Sequence, residues 1–272
     1  SLVGIVRNAA TYSGVYEAFR NLPNYETKGA DGTPVTELDR NIQTDVFNKM
    51  RREGLYLIGE EDGSEITGDA KYALAIDPLD GTDAYVRGIP TSACAVTILE
   101  KRDGLWFPIM AVIHELTKDG FTWSATAGGK TTMKRDIRFK SDACIIPEAV
   151  APYRVTVSSW PGAPFGLHEV ASNLDYAEMR NQAFGSIALG AGLIACGGTH
   201  ATVFPGTSAL ETVAMTLIVR GAGGVATDID GNDFDGFELG TDKSGKPDFI
   251  LPNGAIMAAN RELAQKLSSL IT

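Results

Sequence analysis

The stretch DPLDGTDAY, residues 77 to 85, decides how the rest of this sequence is interpreted. It follows the apolar run YALAI, which predicts a buried strand that ends at the first aspartate. Asp, Pro and Gly are common turn formers, so the stretch taken alone could be a tight turn. The alternative is half of a metal site, because Mg²⁺ prefers oxygen ligands and can take them from separate segments. Other parts of the chain have to decide between the two.

The metal-site interpretation gives each residue of the stretch a role. Asp77, Asp80 and the Leu79 carbonyl would face one point, while Pro78 restricts the backbone. A helix that begins near Gly81 would turn its free N–H groups to the same point, where they could hold phosphate oxygens. This combination is typical of phosphoryl transfer, in which metal ions and N–H donors neutralise charge on the reacting phosphate.

The amino-acid composition is that of a globular protein and argues against two classes of partner. The 272 residues are 44% hydrophobic and 21% charged, near the averages for globular proteins and enough for two lobes. The formal net charge is −10 and no basic run interrupts it, so we expect no nucleic acid polymer as a partner. No apolar stretch has the length of a membrane span, so we expect no membrane partner either.

The cysteines indicate a cellular compartment. Cys94, Cys144 and Cys196 are odd in number, far apart and set in apolar stretches, a pattern that predicts buried free thiols. Free thiols suit a reducing environment, so we predict a cytoplasmic protein. The chain does not begin with Met, and this leaves a removed targeting peptide open.

Hydrophobic patterns predict two lobes of different composition. Residues 1–150 predict an α+β lobe, with helices up to about residue 20 and over 36–52, strands over 55–59 and 72–77, and an antiparallel meander over 93–125. Prolines between 147 and 164 mark the predicted lobe boundary. Residues 151–272 predict an α/β lobe of alternating strands and helices, which ends in a helix over 261–270.

Four stretches, in this order, resemble the inositol monophosphatase family, part of the lithium-sensitive, magnesium-dependent phosphatases that include fructose bisphosphatase. They are Lys28 with VTELD, IGEED, DPLDGTDAY and ALETVAMTLIVRGAGGV. The most specific feature is DPLDGT preceded by GEE at this distance. The resemblance implies a layered αβαβα sandwich of the sugar-phosphatase type, with 1–150 and 151–272 as its lobes and the metal site in the cleft between them. It also implies a homodimer.

The resemblance further implies ligands for two to three Mg²⁺ ions in each subunit. Glu60, Asp77 and the Leu79 carbonyl would hold one ion. Asp77, Asp80 and Glu211 would hold a second ion, and Glu60 with water would hold a weaker third. The metal ions would lower the pKa of the attacking water and screen its repulsion from the phosphate.

Catalysis and phosphate binding fall to residues beside these ligands, again by resemblance. The attacking water would lie between Glu60 and Thr82, and Asp39 would polarise the Thr82 hydroxyl. These three are the predicted catalytic residues. The predicted substrate and phosphate site consists of Asp80, Gly81, Thr82, Gly185, Ser186, Phe204 and Lys28.

Two departures from the family pattern bear on metal and substrate. Leu210-Glu211 stands in place of the usual Trp-Asp, and the glutamate supplies the same carboxylate on a longer stem, as in fructose bisphosphatases. Phe204 stands where inositol monophosphatases place a glutamate that binds inositol hydroxyls. A phenyl ring cannot accept those hydrogen bonds, so a flatter or partly apolar leaving group would suit this chain better.

The predicted function is Mg²⁺-dependent hydrolysis of a small-molecule phosphate monoester, inositol-monophosphatase-like, by a metal-activated water. One alternative is a sugar bisphosphatase of the fructose-1,6-bisphosphatase kind, which Glu211 favours and for which Arg180 is the candidate to hold a second phosphate. Another is a histidinol-phosphate phosphatase, which DGTDAYVRGIP resembles. A third is a non-catalytic homologue that binds a phosphate ligand. Glu61 and Asp62 are predicted to support Glu60 or to face solvent.

Overall fold

The computed structural model describes residues 1–12, 24–28, 33–52, 54–117, 119–135, 142–158, 172–174, 178–206, 210–234, 236–242, 245–251 and 253–271. The main helices within these ranges are α1 (Leu2–Tyr12), α2 (Glu37–Met50), α3 (Thr82–Val86), α4 (Ile187–Ala195), α5 (Leu210–Gly221) and α6 (Arg261–Ile271). The strands are β1 (Tyr25–Lys28), β2 (Thr33–Thr36), β3 (Leu55–Gly59), β4 (Tyr72–Asp80), β5 (Ala93–Arg102), β6 (Leu105–Glu115), β7 (Thr122–Thr126), β8 (Thr132–Lys134), β9 (Asp142–Ala143), β10 (Tyr153–Val157), β11 (Met179–Gln182), β12 (Ala201–Pro205), β13 (Val225–Asp228), β14 (Glu238–Thr241), β15 (Pro247–Ile250) and β16 (Gly254–Ala258).

The first half of the chain forms a seven-stranded sheet in the order β3-β4-β5-β6-β7-β8-β9. The predicted meander is confirmed, because β4 to β9 pair antiparallel in chain order. β3 and β4 pair parallel, so their carboxyl ends lie at the same edge of the sheet. The acids that follow β3 and the aspartates that close β4 are therefore neighbours.

An irregularity in β4 falls within the stretch DPLDGTDAY. Asp77 pairs with Ala95 and Asp80 pairs with Ala93, so three steps along β4 oppose two steps along β5. One extra residue on a strand bends it and breaks the ladder locally. The backbone between the two aspartates can therefore leave the regular sheet just where the site lies.

The second half forms a five-stranded sheet in the order β11-β10-β12-β16-β13. β10 runs parallel to both of its neighbours, and β16 runs antiparallel to β12 and β13. The first sheet ends at Ala143 and the second begins at Tyr153. This change of sheet falls near residue 150, although the division into two lobes stays a prediction.

Helices separate and cover the two sheets, and this confirms the predicted αβαβα layering. α4 and α5 contact strands of both sheets and therefore lie between them. α1 and α2 cover the outer face of the first sheet, and α6 covers the outer face of the second. The largest buried cluster runs through the middle layer, from Trp106 and Trp123 of the first sheet to Phe204 of the second.

Some expectations from the sequence need correction. Cys94 and Cys144 are buried free thiols as predicted, but Cys196 is exposed because it follows the last turn of α4. The helix predicted up to about residue 20 is described as far as Tyr12, and the rest lies outside the described residues. In the described parts of the chain, no helix is both long and apolar enough to cross a membrane.

Candidate active site

Asp39 is buried at the start of α2, where hydrogen-bond donors surround it. The Thr36 N–H and Thr36 Oγ1 donate to Asp39 Oδ2 at 2.7 and 2.5 Å. Thr36 is the residue before the helix and Asp39 is the third residue within it, so the pair closes a capping box. Hydrogen bonds within the motif VTELD thus position this carboxylate without the help of a metal ion.

Thr82 links the start of α3 to that carboxylate. Its hydroxyl lies 3.2 Å from Asp39 Oδ1 and 2.8 Å from the Leu79 carbonyl oxygen, and it can donate its one proton to either. The sequence assigned Asp39 and Thr82 to the activation of water. The structure brings the two together, while their catalytic role stays a prediction.

The backbone at Gly81 has to approach two other segments closely. Its φ is +90°, a conformation that favours glycine. A Cβ at this position would lie 3.0 Å from the Thr91 carbonyl oxygen and 3.1 Å from that of Gly185. Gly81 can therefore precede α3 as its N-cap, and Thr82 starts the helix. A helix beginning near Gly81 was predicted from the sequence, and the structure confirms it.

Asp77 is buried and accepts a hydrogen bond of 2.9 Å from the Leu79 N–H through Oδ1. A side chain that accepts from the N–H two residues ahead forms an Asx-type turn. The turn interpretation and the metal-site interpretation of DPLDGT are thus compatible, since the turn occupies only one of the two Asp77 oxygens.

Asp80 joins the two halves of the molecule. Its Oδ2 accepts hydrogen bonds of 2.6 Å from Ser186 Oγ and of 2.6 Å from the Ala188 N–H. Ser186 is the N-cap of α4, so this carboxylate lies at a helix N-terminus, where negative charge is stabilised. Burial raises the pKa of Asp80 to about 6, against the effect of the Ser186 hydrogen bond, and the charge of Glu60 adds to the rise.

Glu211 is half-buried in the first turn of α5. Burial raises its pKa to about 8, and the negative charges of Asp80, Asp248 and Glu60 contribute to the rise. Repulsion between carboxylates weakens with distance, so Glu211 lies near these three acids. Asp248 was not predicted from the sequence, because it lies on β15, a strand that no pattern indicated.

Asp39, Glu60 and Glu61 form the closest acidic group among the described residues, with ligand oxygens that all lie within 4.8 Å of one another. Glu61 is buried and Asp62 is exposed, so only the second faces solvent. No group with Asp77, Asp80 or Glu211 meets the same spacing within the described ranges. Hard carboxylate oxygens at this density suit a divalent cation such as Mg²⁺.

Gln43 holds the acidic segment after β3, and sequence reasoning missed it. Its Nε2 donates to the carbonyl oxygens of Glu61 and Asp62 at 3.1 and 2.9 Å, and its Oε1 accepts from the Glu61 N–H at 3.0 Å. Gly59 makes room, because a Cβ there would lie 2.1 Å from Gln43 Oε1. The available signal was spacing, since Gln43 follows Asp39 by four residues on the same face of α2.

The remaining predicted residues differ in how they relate to this site. Gly185 and Ser186 lie beside Gly81 and Asp80, respectively. The side chain of Lys28 lies outside the described residues. Phe204 is 2% exposed within the main core, so a substrate could contact little of its ring. Compared with the glutamate of inositol monophosphatases, Phe204 therefore removes a polar side chain from this position and adds no accessible apolar surface.

Buried carboxylates, a threonine hydroxyl and two helix N-termini meet at one sheet edge, an arrangement that suits a metal-dependent hydrolase of phosphate esters. The chain belongs to the inositol monophosphatase family, whose sequence profile matches residues 4–272. It is therefore a phosphatase of a metal-dependent family.

Similarity to individual proteins agrees with this assignment. The chain is 30% identical over 206 residues to a histidinol-phosphatase of Mycobacterium tuberculosis, covering 74% of this chain and 76% of that protein. It is 26% identical over 246 residues to an inositol-1-monophosphatase of Mesorhizobium japonicum, covering 87% of this chain and 82% of that protein. The crystal structure of the extragenic suppressor protein SuhB from Bartonella henselae shares the fold, with a TM-score of 0.76 at 21% identity over 98% of this chain and 96% of that chain.

Proposed function

We propose that this phosphatase hydrolyses small phosphate monoesters in a Mg²⁺-dependent reaction and releases inorganic phosphate. The observation that carries the proposal is the electrostatic state of Asp80 and Glu211. Burial raises the pKa of both carboxyls, the charge of Glu60 adds to both rises, and the charge of Asp80 adds to that of Glu211. Repulsion of this kind costs free energy of folding unless cations bind among the carboxylates.

The donor set fits magnesium, because it consists of carboxylate and carbonyl oxygens. Glu60, Asp77 and the Leu79 carbonyl would hold one ion, and Asp77, Asp80 and Glu211 would hold a second, with a weaker third at Glu60. Glu61 becomes a further candidate ligand, since it is buried beside Glu60. When bound, the ions would lower the pKa of the attacking water and screen charge on the phosphate.

The side chains around the ions would orient the water and the phosphate. When the Thr82 hydroxyl donates to Asp39, its oxygen lone pairs are left to accept a hydrogen bond from the water. The Gly81 and Thr82 N–H groups lie at the start of α3, where they would donate to phosphate oxygens. Glu60 would accept a hydrogen bond from the other O–H of the water and take up the one proton that the water loses on attack.

The favoured substrate is a monoester whose alcohol does not need a carboxylate acceptor at position 204. Phe204 cannot bind a polyol hydroxyl, and the relative from Mycobacterium tuberculosis is named a histidinol-phosphatase. Histidinol phosphate is therefore the first substrate to test, ahead of inositol phosphates and of fructose 1,6-bisphosphate. A cytoplasmic homodimer and inhibition by lithium, both implied by the family, belong to the same proposal.

A substrate panel with and without Mg²⁺ tests the proposal. It should contain histidinol phosphate, inositol phosphates, sugar phosphates, fructose 1,6-bisphosphate and adenosine 3′,5′-bisphosphate, with released phosphate as the readout. We expect Mg²⁺-dependent release from a monoester, and Asp80→Asn should remove most of it while the protein stays folded. If no compound releases phosphate in the presence of Mg²⁺, the protein is instead a non-catalytic binder.

A further inference from the structure

The hairpin of β14 and β15 is attached firmly to the first sheet at its base. Trp106 and Phe237 exchange two backbone hydrogen bonds of 2.9 Å, which tie the start of the hairpin to β6. Phe249 on β15 is fully buried, with its ring centroid 6.3 Å from that of Trp106 in an edge-to-face contact. The hairpin is therefore held in a fixed position relative to the strands that carry the acids.

Two charged side chains of this hairpin point toward the acidic site. Lys246 and Asp248 are two residues apart along an extended segment, so they share a face, opposite to Phe249. Lys246 Nζ donates to the Glu60 carbonyl oxygen at 3.2 Å and lies 3.0 Å from Asp62 Oδ1. Asp248 is 3% exposed, and its charge contributes to the raised pKa of Glu211.

Lys246 and Gln43 bind the two ends of the same peptide group. The carbonyl of Glu60 and the N–H of Glu61 belong to the same planar peptide unit. Lys246 binds this unit at its oxygen, and Gln43 binds it at its N–H at 3.0 Å. A peptide plane held at both ends fixes the backbone torsions on either side, and with them the directions of the two adjacent carboxylates.

We propose that Lys246 is a positioning residue that orients the Glu60-Glu61 peptide, so that both carboxylates are presented to bound metal ions. The inference rests on the proposed function, since it assumes that these acids bind metal. The hydrogen bond from Lys246 to the Glu60 carbonyl oxygen is what orients the peptide. The ion pair with Asp62 contributes little, because the Asp62 side chain is 95% exposed and exposed ion pairs are weak.

The test compares Lys246→Met with three other variants. Lys246→Arg keeps a donor, Asp62→Asn removes only the ion pair, and Lys71→Met removes an exposed lysine whose Nζ lies 3.1 Å from Glu100. Mg²⁺ affinity is measured by calorimetry, and hydrogen exchange is measured at the Glu61 amide. We expect Lys246→Met to weaken Mg²⁺ binding about 10-fold, the scale known for residues that orient metal ligands, and to speed exchange at Glu61. Lys246→Arg should recover part of both effects, and the other two variants should match wild type.

The outcomes separate this inference from the proposed function. If Lys246→Met binds Mg²⁺ and protects the Glu61 amide as Lys71→Met does, the positioning role is wrong. An Asp62→Asn variant as impaired as Lys246→Met would also overturn it, because the ion pair would then carry the effect. If wild type binds Mg²⁺ but releases no phosphate, the proposed function fails, while a 10-fold loss of affinity in Lys246→Met still supports the inference.

Discussion

Asp39 and Glu211 occupy similar positions, each in the first turn of a helix, but their surroundings are opposite. Asp39 accepts hydrogen bonds from both polar groups of Thr36 and lies within hydrogen-bond distance of the Thr82 hydroxyl. Burial raises the pKa of Glu211, and other carboxylates add to the rise. Hydrogen bonds within the protein satisfy the first acid, which agrees with its proposed role in positioning a hydroxyl. The surroundings of the second acid disfavour its anionic form, which agrees with its proposed role as a metal ligand.

Replacement of Glu211 by Gln should have the largest effect. It should lower phosphate release and raise the stability of the metal-free protein. Phosphate release should fall about 100-fold or more, because loss of a metal ligand costs several kcal/mol of transition-state stabilisation. The metal-free protein should become more stable at neutral pH by about 1 kcal/mol, because folding no longer has to bury a carboxylate whose charged form is disfavoured there. Thermal unfolding with EDTA and with Mg²⁺ checks the second expectation. A lower unfolding temperature for Glu211→Gln in EDTA would contradict it.

Replacement of Asp39 by Ala should destabilise the protein whether or not Mg²⁺ is present. The change leaves the buried Thr36 donors without their acceptor, a loss of about 2–3 kcal/mol for a helix cap and buried hydrogen bonds together. Urea unfolding in EDTA measures this loss without any contribution from metal. Asp39→Asn is the matched control, since it keeps one oxygen acceptor and should lose less. Equal stability of wild type and Asp39→Ala would remove the contrast with Glu211.

Replacement of Gly59 by Ala should disturb the support of the acidic segment. The added Cβ would meet Gln43 Oε1 at 2.1 Å, so the glutamine has to move and the protein should lose about 1–3 kcal/mol. In a Gln43→Ala background the same change should cost less, because the obstacle is absent. A double-mutant cycle by urea unfolding gives this coupling energy. Additive effects would show that Gly59 and Gln43 do not depend on each other.

The sequence predicted those parts of the site that follow local patterns. Apolar runs ending in acids located the carboxyl ends of β3 and β4, and a turn motif located the start of α3. The contacts of Lys246 and Asp248 could not be predicted in this way. Lys246 meets Glu60 across 186 positions of the chain, and such a pairing depends on how the sheets pack rather than on any spacing. The burial of Phe204 also depends on packing, because β12 lies inside the layered core.

A pH-dependent measurement provides the smallest effect and a reference outside the acidic group. His114 is buried in β6, with Nδ1 2.9 Å from Thr122 Oγ1. Burial lowers its pKa to about 4 from the ordinary 6.5, helped by the charge of Arg7. The unfolded chain therefore binds the proton more readily between these values, so the stabilising contribution of neutral His114 is complete above pH 6.5 and is lost as the pH falls toward 4.

Between pH 6.5 and 5.5 this histidine should account for a loss of about 1 kcal/mol in the free energy of unfolding. His114→Gln keeps a polar partner for Thr122 but does not titrate, so its stability should fall less over the same interval. Urea unfolding of both proteins in EDTA at the two pH values gives the difference directly. A wild type and variant with parallel pH dependence would show that His114 is not held neutral. Any loss of stability at low pH would then have to come from the carboxylates, including Asp39 and Glu211.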